Sequence, residues 1–360
     1  MAKAAADTVT GVVVITGGSS GIGRCTAALF ARRGWRVGLI ARGAEGLAAS
    51  SKDVKAAGVR AAFAPADVTD SSALKEAADA IMAKLGPIDV WINCAGNGVY
   101  GRFDNVPEAE FRRVTDVTYH GTVNGTRVAL SHMKPRGHGS VVNVCSAIAF
   151  HGMPMMSSYS GAKAAVRAFG QAVRSELRLE RSPIRVSTVF PPAVNTPFFS
   201  HAPSHMGWPA RPLSPVYQPE VVAQGIWQAV VSGRPEMTIS GTAAVFSMAV
   251  RVAPTLVAWC MGRLGLERQL TRDANALLLQ EPTLFVPSQH VFDGRGPFGR
   301  WARAWSLHLW LERRLMIAVA RLTPARCGQA KLSDAPSPPT PAPPEPGREL
   351  GNLVPQPGDP

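Results

Sequence analysis

Up to about residue 240, short apolar runs alternate with longer stretches whose apolar positions recur every three or four residues. Val12-Val13-Val14-Ile15 is made of β-branched residues, the composition of a strand buried on both faces. Comparable runs predict strands at 37–41, 61–64, 88–94, 140–145, 185–189 and 237–239. Helical patterns lie between them, the longest at 107–133 and 155–179. Strands alternating with helices predict an α/β fold, a doubly wound parallel sheet of the Rossmann-like kind, over residues 1–240.

After residue 240 the pattern changes. Residues 243–266 are apolar but broken by Arg251, Pro254 and Arg263, short of the ~20 uninterrupted apolar residues that a membrane span needs. Residues 301–322 combine Trp301, Trp305, Trp310 and an apolar run with Arg303, Arg313, Arg314 and Arg321, just after Arg300. Tryptophan and arginine on one helix suit a membrane interface, and equally a helix packed on the domain or on a dimer partner. Residues 241–330 are thus predicted as a helical C-terminal extension with peripheral membrane contact through 243–322. The Pro-rich tail at 331–360 is predicted to be disordered.

The first strand runs straight into Thr16-Gly17-Gly18-Ser19-Ser20-Gly21-Ile22-Gly23, and a helical pattern follows. Strand, glycine turn and helix form the setting of a phosphate-binding turn. Glycines let the backbone approach a pyrophosphate, and the helix N-terminus aims unpaired N–H groups at it. The second strand ends in Ala41-Arg42, where an NAD site usually carries an acid for the ribose 2′-hydroxyl. A guanidinium there fits a 2′-phosphate instead, which predicts NADP(H); Arg24 sits near the same corner. Farther on, Tyr159 and Lys163 stand four residues apart, thirteen residues after Ser146. On a helix the pair shares one face.

These features together resemble the short-chain dehydrogenase/reductase family, over roughly residues 9 to 240. The resemblance rests also on Asp67-Val68, on Asn93-Cys94-Ala95-Gly96 after the fourth strand, on Val142-Asn143-Val144-Cys145-Ser146, and on Pro191-Pro192-Ala193-Val194-Asn195-Thr196. It implies hydride transfer between a nicotinamide and a carbonyl or alcohol carbon. Tyr159 would be the acid/base, Ser146 would hold the substrate oxygen, and Lys163 would lower the Tyr159 pKa and bond the nicotinamide ribose. Gly17, Ser19, Ser20, Gly21, Ile22, Gly23, Arg42, Asp67, Val68, Asn93, Ala95, Gly96, Tyr159, Lys163 and Thr196 would contact the cofactor, with Asn93 supporting backbone geometry more than chemistry. Two departures stand out. Thr118 occupies the place of an asparagine that holds a proton-relay water in the family. Pro192 replaces a glycine beside the nicotinamide.

The remaining features add bounds. The 360 residues and 46% hydrophobic content suffice for one sizeable core plus an extension. Five cysteines (25, 94, 145, 260 and 327) without a pairing pattern suit a reducing compartment, and residues 1–10 do not resemble a secretory signal. The expected location is cytoplasmic, with contact to a membrane surface. A net charge of +13 invites an anionic partner, but no zinc ligands or RNA-binding signature accompany it, so a membrane is favoured over nucleic acid. The histidines show no metal-ligand spacing, and no metal is expected. The proline-rich loop 198–219, with Phe198, Phe199, Trp208 and Tyr217, suits a hydrophobic carbonyl substrate and equally a stiffened connection. The leading expectation is an NADP(H)-dependent oxidoreductase acting on a hydrophobic ketone, aldehyde or secondary alcohol, assembled as a homo-oligomer. The alternative is a cofactor-binding scaffold with weak or lost activity. A nucleotide-sugar epimerase or dehydratase ranks lower.

Overall fold

The computed structural model describes residues 11–264, 269–271 and 280–322. The expected disordered tail, the end of the extension and Cys327 lie outside the described residues. In chain order, β1 (Val12–Thr16) leads into α1 (Gly21–Arg32), then β2 (Arg36–Ala41), α2 (Ala44–Ala56), β3 (Ala61–Pro65) and α3 (Ser71–Leu85). β4 (Val90–Asn93), α4 (Glu108–Thr115), α5 (Gly121–Met133), β5 (Ser140–Val144), α6 (Ser157–Leu179) and β6 (Arg185–Phe190) follow. The short α7 (Phe198–His201) and β7 (Val216–Tyr217) precede α8 (Pro219–Ser232) and β8 (Glu236–Thr238).

Seven of these strands form one parallel sheet in the order β3-β2-β1-β4-β5-β6-β8. Alternation along β1 explains its composition. Val13 and Ile15 pack toward Phe30 of α1, Leu47 of α2 and Ile226 of α8, while Val12 and Val14 pack toward Ile81 of α3, Met133 of α5 and Leu177 of α6. Both faces are covered, so every β1 position is buried. The winding reverses between β1 and β4, which pair up to Thr16 and Asn93 at their C-terminal ends. A crevice opens at such a switch point, and this is where an open α/β sheet binds its ligand.

The predicted helix at 107–133 is continuous but not uniform. A π-helical turn, Asp116–His120, joins α4 to α5. An inserted residue of this kind re-aims side chains and is common at functional sites. Behind it lies a buried polar knot. Asn93 accepts from Trp91 Nε1 at 2.7 Å and donates to Thr126 Oγ1 at 3.0 Å and Asn143 Oδ1 at 2.9 Å, tying β4 to α5 and β5. Gly125 makes room for it, because a Cβ there would lie 2.1 Å from Asn93 Oδ1. Gly125→Ala is therefore expected to destabilise the protein by ~1–3 kcal/mol, since the knot cannot yield without stranding a buried amide. Thermal unfolding checks this; an unchanged midpoint would contradict the packing described.

The extension is helical only in part. α9 (Gly241–Val252) and α10 (Pro254–Leu264) bend by 119° across Ala253. No single helix among the described residues is long and apolar enough to cross a membrane. Residues 280–306 carry no α-helix; their Ala302–Arg303 strand, β9, pairs with β7. The helix expected from 301 begins instead at Leu307, as α11 (Leu307–Leu322). Ser306 sets that start: its hydroxyl accepts from Leu309 N at 3.3 Å and donates to Ile239 O at 2.9 Å.

Candidate active site

The C-terminal ends of β1, β4, β5 and β6 open into a cleft of about 540 Å³. The glycine turn floors one end. Gly17, Ser19, Ser20, Gly21, Ile22 and Gly23 line it, together with Arg42, Asp67, Val68, Ala95, Gly96 and Thr196. Gly23 has to be glycine, because a Cβ there would sit 2.1 Å from the Gly17 carbonyl oxygen. Thr16 holds the β1 and β4 ends together by accepting from Cys94 N at 3.2 Å and Ala95 N at 3.3 Å.

The same cleft contains Ser146, Tyr159 and Lys163. Ser146 lies two residues beyond β5, and its hydroxyl accepts from Ile148 N at 3.3 Å and is close enough to favour the phenolate of Tyr159. Lys163 follows Tyr159 by one turn of α6. Its Nζ donates to Val144 O at 2.8 Å and lies 5.5 Å from the Tyr159 ring centre. The Cys145 thiol donates to Lys163 O at 3.1 Å, pinning α6 to the end of β5.

Burial dominates the electrostatics. It pushes the Tyr159 phenol above its usual range, with smaller upward contributions from Cys145 and Cys94 and a downward one from the Ser146 hydrogen bond. It also draws the Lys163 ammonium downward. The sequence reading lowers the Tyr159 pKa through the Lys163 ammonium together with a nicotinamide ring. Among the chain's own groups burial outweighs the Ser146 contribution, and the net direction is up. Burial likewise raises the Cys94 thiol to about 12 and the Cys145 thiol to about 11, so neither is a nucleophile near neutrality.

Three expected residues take different places. Asn93 does not line the cleft; all its contacts lie in the knot beneath, where it fixes the strand ends. Thr118, on the π-helical turn, is fully buried behind the wall. Its hydroxyl donates to Asn97 O at 3.2 Å and accepts from Asn97 N at 3.3 Å. One hydroxyl thus serves both backbone groups and holds Asn97 in position. Arg24 faces away from the cleft, paired with Asp53 at 2.8 Å and donating to Phe292 O at 2.8 Å.

Asn97 itself went unread in the sequence. Asn97 lines the cleft, and its carboxamide is buried, with no partner at either Oδ1 or Nδ2 among the described residues. A buried amide without partners marks a place where a polar ligand belongs. The only signal was its position directly after Asn93-Cys94-Ala95-Gly96.

A second feature without a sequence signal is the segment 281–298, which straps over the cleft beside Arg42 and the glycine turn. Arg42 donates through Nη1 to Leu284 O at 3.2 Å and Phe285 O at 2.9 Å, and through Nη2 to Thr283 O. Gly21 N donates to Asp293 O at 3.0 Å. Thr283, Pro287, Ser288, Val291 and Phe292 join the cleft wall. Glu281 shapes the strap by accepting from Ser288 Oγ at 2.6 Å and from the backbone N–H groups of Gln289, His290 and Val291. Asp67 is raised by burial, but its bonds to Arg113 and Thr69 outweigh this and its net direction is down.

The far end of the cleft is apolar, lined by Met153, Met156, Phe198, Phe199, Phe246 and Met261. The Phe198 ring lies 5.3 Å from that of Tyr159. Trp208 and Tyr217, expected with them, do not line it: Tyr217 is buried in β7, and Trp208 is 38% exposed. Among the described residues there is no cluster of three His, Cys, Asp or Glu able to hold a metal ion.

A family description for short chain dehydrogenases matches residues 11–207, more than half of the chain and all of the cleft's glycine turn, serine, tyrosine and lysine. The chain belongs to the short-chain dehydrogenase family. An uncharacterized oxidoreductase of Bacillus subtilis, YxnA, is 31% identical over 312 residues, 86% of this chain and 87% of that protein. An alignment of that length reaches into the C-terminal extension. Solved members of the family carry either nicotinamide cofactor. A short chain dehydrogenase from Mycobacterium paratuberculosis bound to NAD is 26% identical, with a TM-score of 0.56 over 63% of this chain and 94% of that one. A variant of actinorhodin polyketide ketoreductase with NADPH is 27% identical, with a TM-score of 0.57 over 65% of this chain and 96% of that one.

Proposed function

We propose that this short-chain dehydrogenase is an NADP(H)-dependent oxidoreductase that interconverts a hydrophobic ketone or aldehyde and the corresponding alcohol. The observation that carries this reading is the meeting of Ser146, Tyr159 and Lys163 in one cleft, between the glycine turn and an apolar wall. A scaffold without activity would have no use for a serine, a buried phenol and a buried lysine gathered in one cleft.

The residues present fit a dinucleotide: the Asn97 amide is unpartnered, and the glycine turn presents its backbone to the cleft. Gly17 to Gly23 would hold the pyrophosphate, Asp67 and Val68 the adenine side, and Lys163 and Asn97 the nicotinamide side. When bound, the cofactor supplies or accepts the hydride. The chain's own part is proton handling. Ser146 holds the substrate oxygen, and Tyr159, kept protonated by burial, gives its proton to that oxygen as the carbonyl carbon becomes a carbinol. The Lys163 ammonium stabilises the phenolate left behind until solvent reprotonates it. In an NADPH-rich cytosolic setting the direction is reduction.

Arg42 supports NADP(H). Three carbonyls orient its guanidinium beside the cleft, and among the described residues no carboxylate forms an ion pair with it, Asp67 acting only from a distance, so its positive charge can meet a 2′-phosphate. Arg42→Ala is expected to weaken NADPH binding by ~10- to 100-fold and NADH binding much less, the size of one charge-assisted interaction. Fluorescence titration of both cofactors checks it; equal losses for the two would assign Arg42 to holding the strap alone.

A further inference from the structure

α9 and α10 have two faces with opposite uses. Inward, Thr242, Ala243 and Phe246 of α9 and Met261 of α10 line the apolar end of the cleft. α9 also packs on the turn that follows Ser146. Outward, Val245, Met248, Val252, Leu256 and Trp259 are between 57 and 76% exposed. α11 packs against α9, and around its start Trp301, Trp305 and Trp310 are exposed as well. Soluble proteins seldom leave this much large apolar surface uncovered on neighbouring helices.

The charge around this surface selects its occupant. α9 and α10 contain no acid, while Arg251 and Arg263 are exposed. Arg300, Arg303 and Arg314 add exposed cations beside the tryptophans. The one acid on the described part of 299–317, Glu312, is already paired with Arg234 at 3.0 Å. A two-fold contact with a second copy would set these arginines against themselves, which is unfavourable. Exposed tryptophan, aliphatic side chains and arginine without acid match the interface of an anionic bilayer. The 119° bend between α9 and α10 suits helices lying in one leaflet, not crossing it.

We infer that α9, α10 and the tryptophan-bearing segment at the start of α11 seat this protein on an anionic membrane, and that its substrate is a carbonyl lipid taken from that membrane. The helices that wall the substrate end of the cleft are the helices that meet the bilayer, so a membrane-dissolved substrate has a single layer of helix to pass. The substrate half of this inference rests on the oxidoreductase reading above; the membrane half does not.

The test uses the full chain and vesicles of phosphatidylcholine, with and without phosphatidylglycerol. The double substitutions are Leu256→Asp with Trp259→Asp, and Arg251→Glu with Arg263→Glu; none of these four residues lines the cleft. Wild type is expected to float with the anionic vesicles and little with the neutral ones. Each double variant should lose on the order of tenfold or more in vesicle affinity while keeping its melting temperature and NADPH affinity. Turnover of a long-chain ketone held in the vesicles should fall with vesicle binding, while turnover of a short water-soluble ketone should not. Wild type that stays in solution, or variants that float as well as wild type, would overturn the inference. So would a dimer that Leu256→Asp with Trp259→Asp splits in the absence of vesicles. Flotation as expected with no turnover of either ketone would support the membrane seat and sink the oxidoreductase reading.

Discussion

Tyr159→Phe is expected to lower kcat/KM for carbonyl reduction by on the order of 10²- to 10⁴-fold, with NADPH affinity and melting temperature close to wild type. The ring stays packed against Phe198, so only the hydroxyl is lost. That hydroxyl shares the cleft with Ser146, and burial keeps it protonated. The direction of the shift also sets the pH dependence. Reduction needs the protonated phenol, so its rate should hold through neutrality and fall as pH rises through the elevated Tyr159 pKa. Oxidation needs the phenolate and should rise over the same range. Initial rates against pH in both directions check this. A Phe variant that keeps wild-type turnover would remove Tyr159 from the chemistry.

Gly23→Ala should cost NADPH affinity about 10- to 100-fold without touching any catalytic side chain. The added Cβ would meet Gly17 O at 2.1 Å and Gly17 C at 2.8 Å, both of them backbone, so no side chain can swing aside. Relief means opening the turn, at a strain of ~1–3 kcal/mol, just where its N–H groups must converge on a phosphate. Gly161→Ala is the matched control. It lies between Tyr159 and Lys163 on α6, and a Cβ there meets nothing within 4 Å. It should bind NADPH like wild type and melt at the same temperature or slightly higher, since alanine favours a helix by up to ~1 kcal/mol over glycine. Isothermal titration separates the two; equal affinity for all three proteins would mean the turn does not hold the cofactor.

The contrast between these residues and the strap explains what sequence can carry. Tyr159 and Lys163 are legible because helical spacing places them on one face and the glycine turn after a β-branched strand stands in the same chain; neither feature alone would carry the reading. The strap left no such trace. Residues 281–298 grip Arg42, Arg24 and Gly21 through their own backbone carbonyls, and every residue type offers a carbonyl. The sequence thus shows Arg42 as a guanidinium at the end of β2 but not the three carbonyls that orient it. Thr118 stands out in the sequence as a side chain in the place of an asparagine, but the sequence does not show that its single hydroxyl meets both backbone groups of Asn97. Tryptophan and arginine continue the pattern of 307–322 backward, so the sequence starts α11 too early; two tertiary contacts hold 302–306 out of the helix, the pairing of Ala302–Arg303 with β7 and the bond from Ser306 to Ile239 O.

The measurement that goes most directly to the centre is isotope transfer. NADPH deuterated at the transferable nicotinamide C4 position is incubated with the protein and a long-chain ketone in anionic vesicles, and the product alcohol is weighed by mass spectrometry. Hydride transfer in the Ser146–Tyr159–Lys163 cleft predicts one deuterium on the carbinol carbon with wild type and almost none with Tyr159→Phe. Tight NADPH binding with no labelled alcohol from any member of a ketone panel would contradict it.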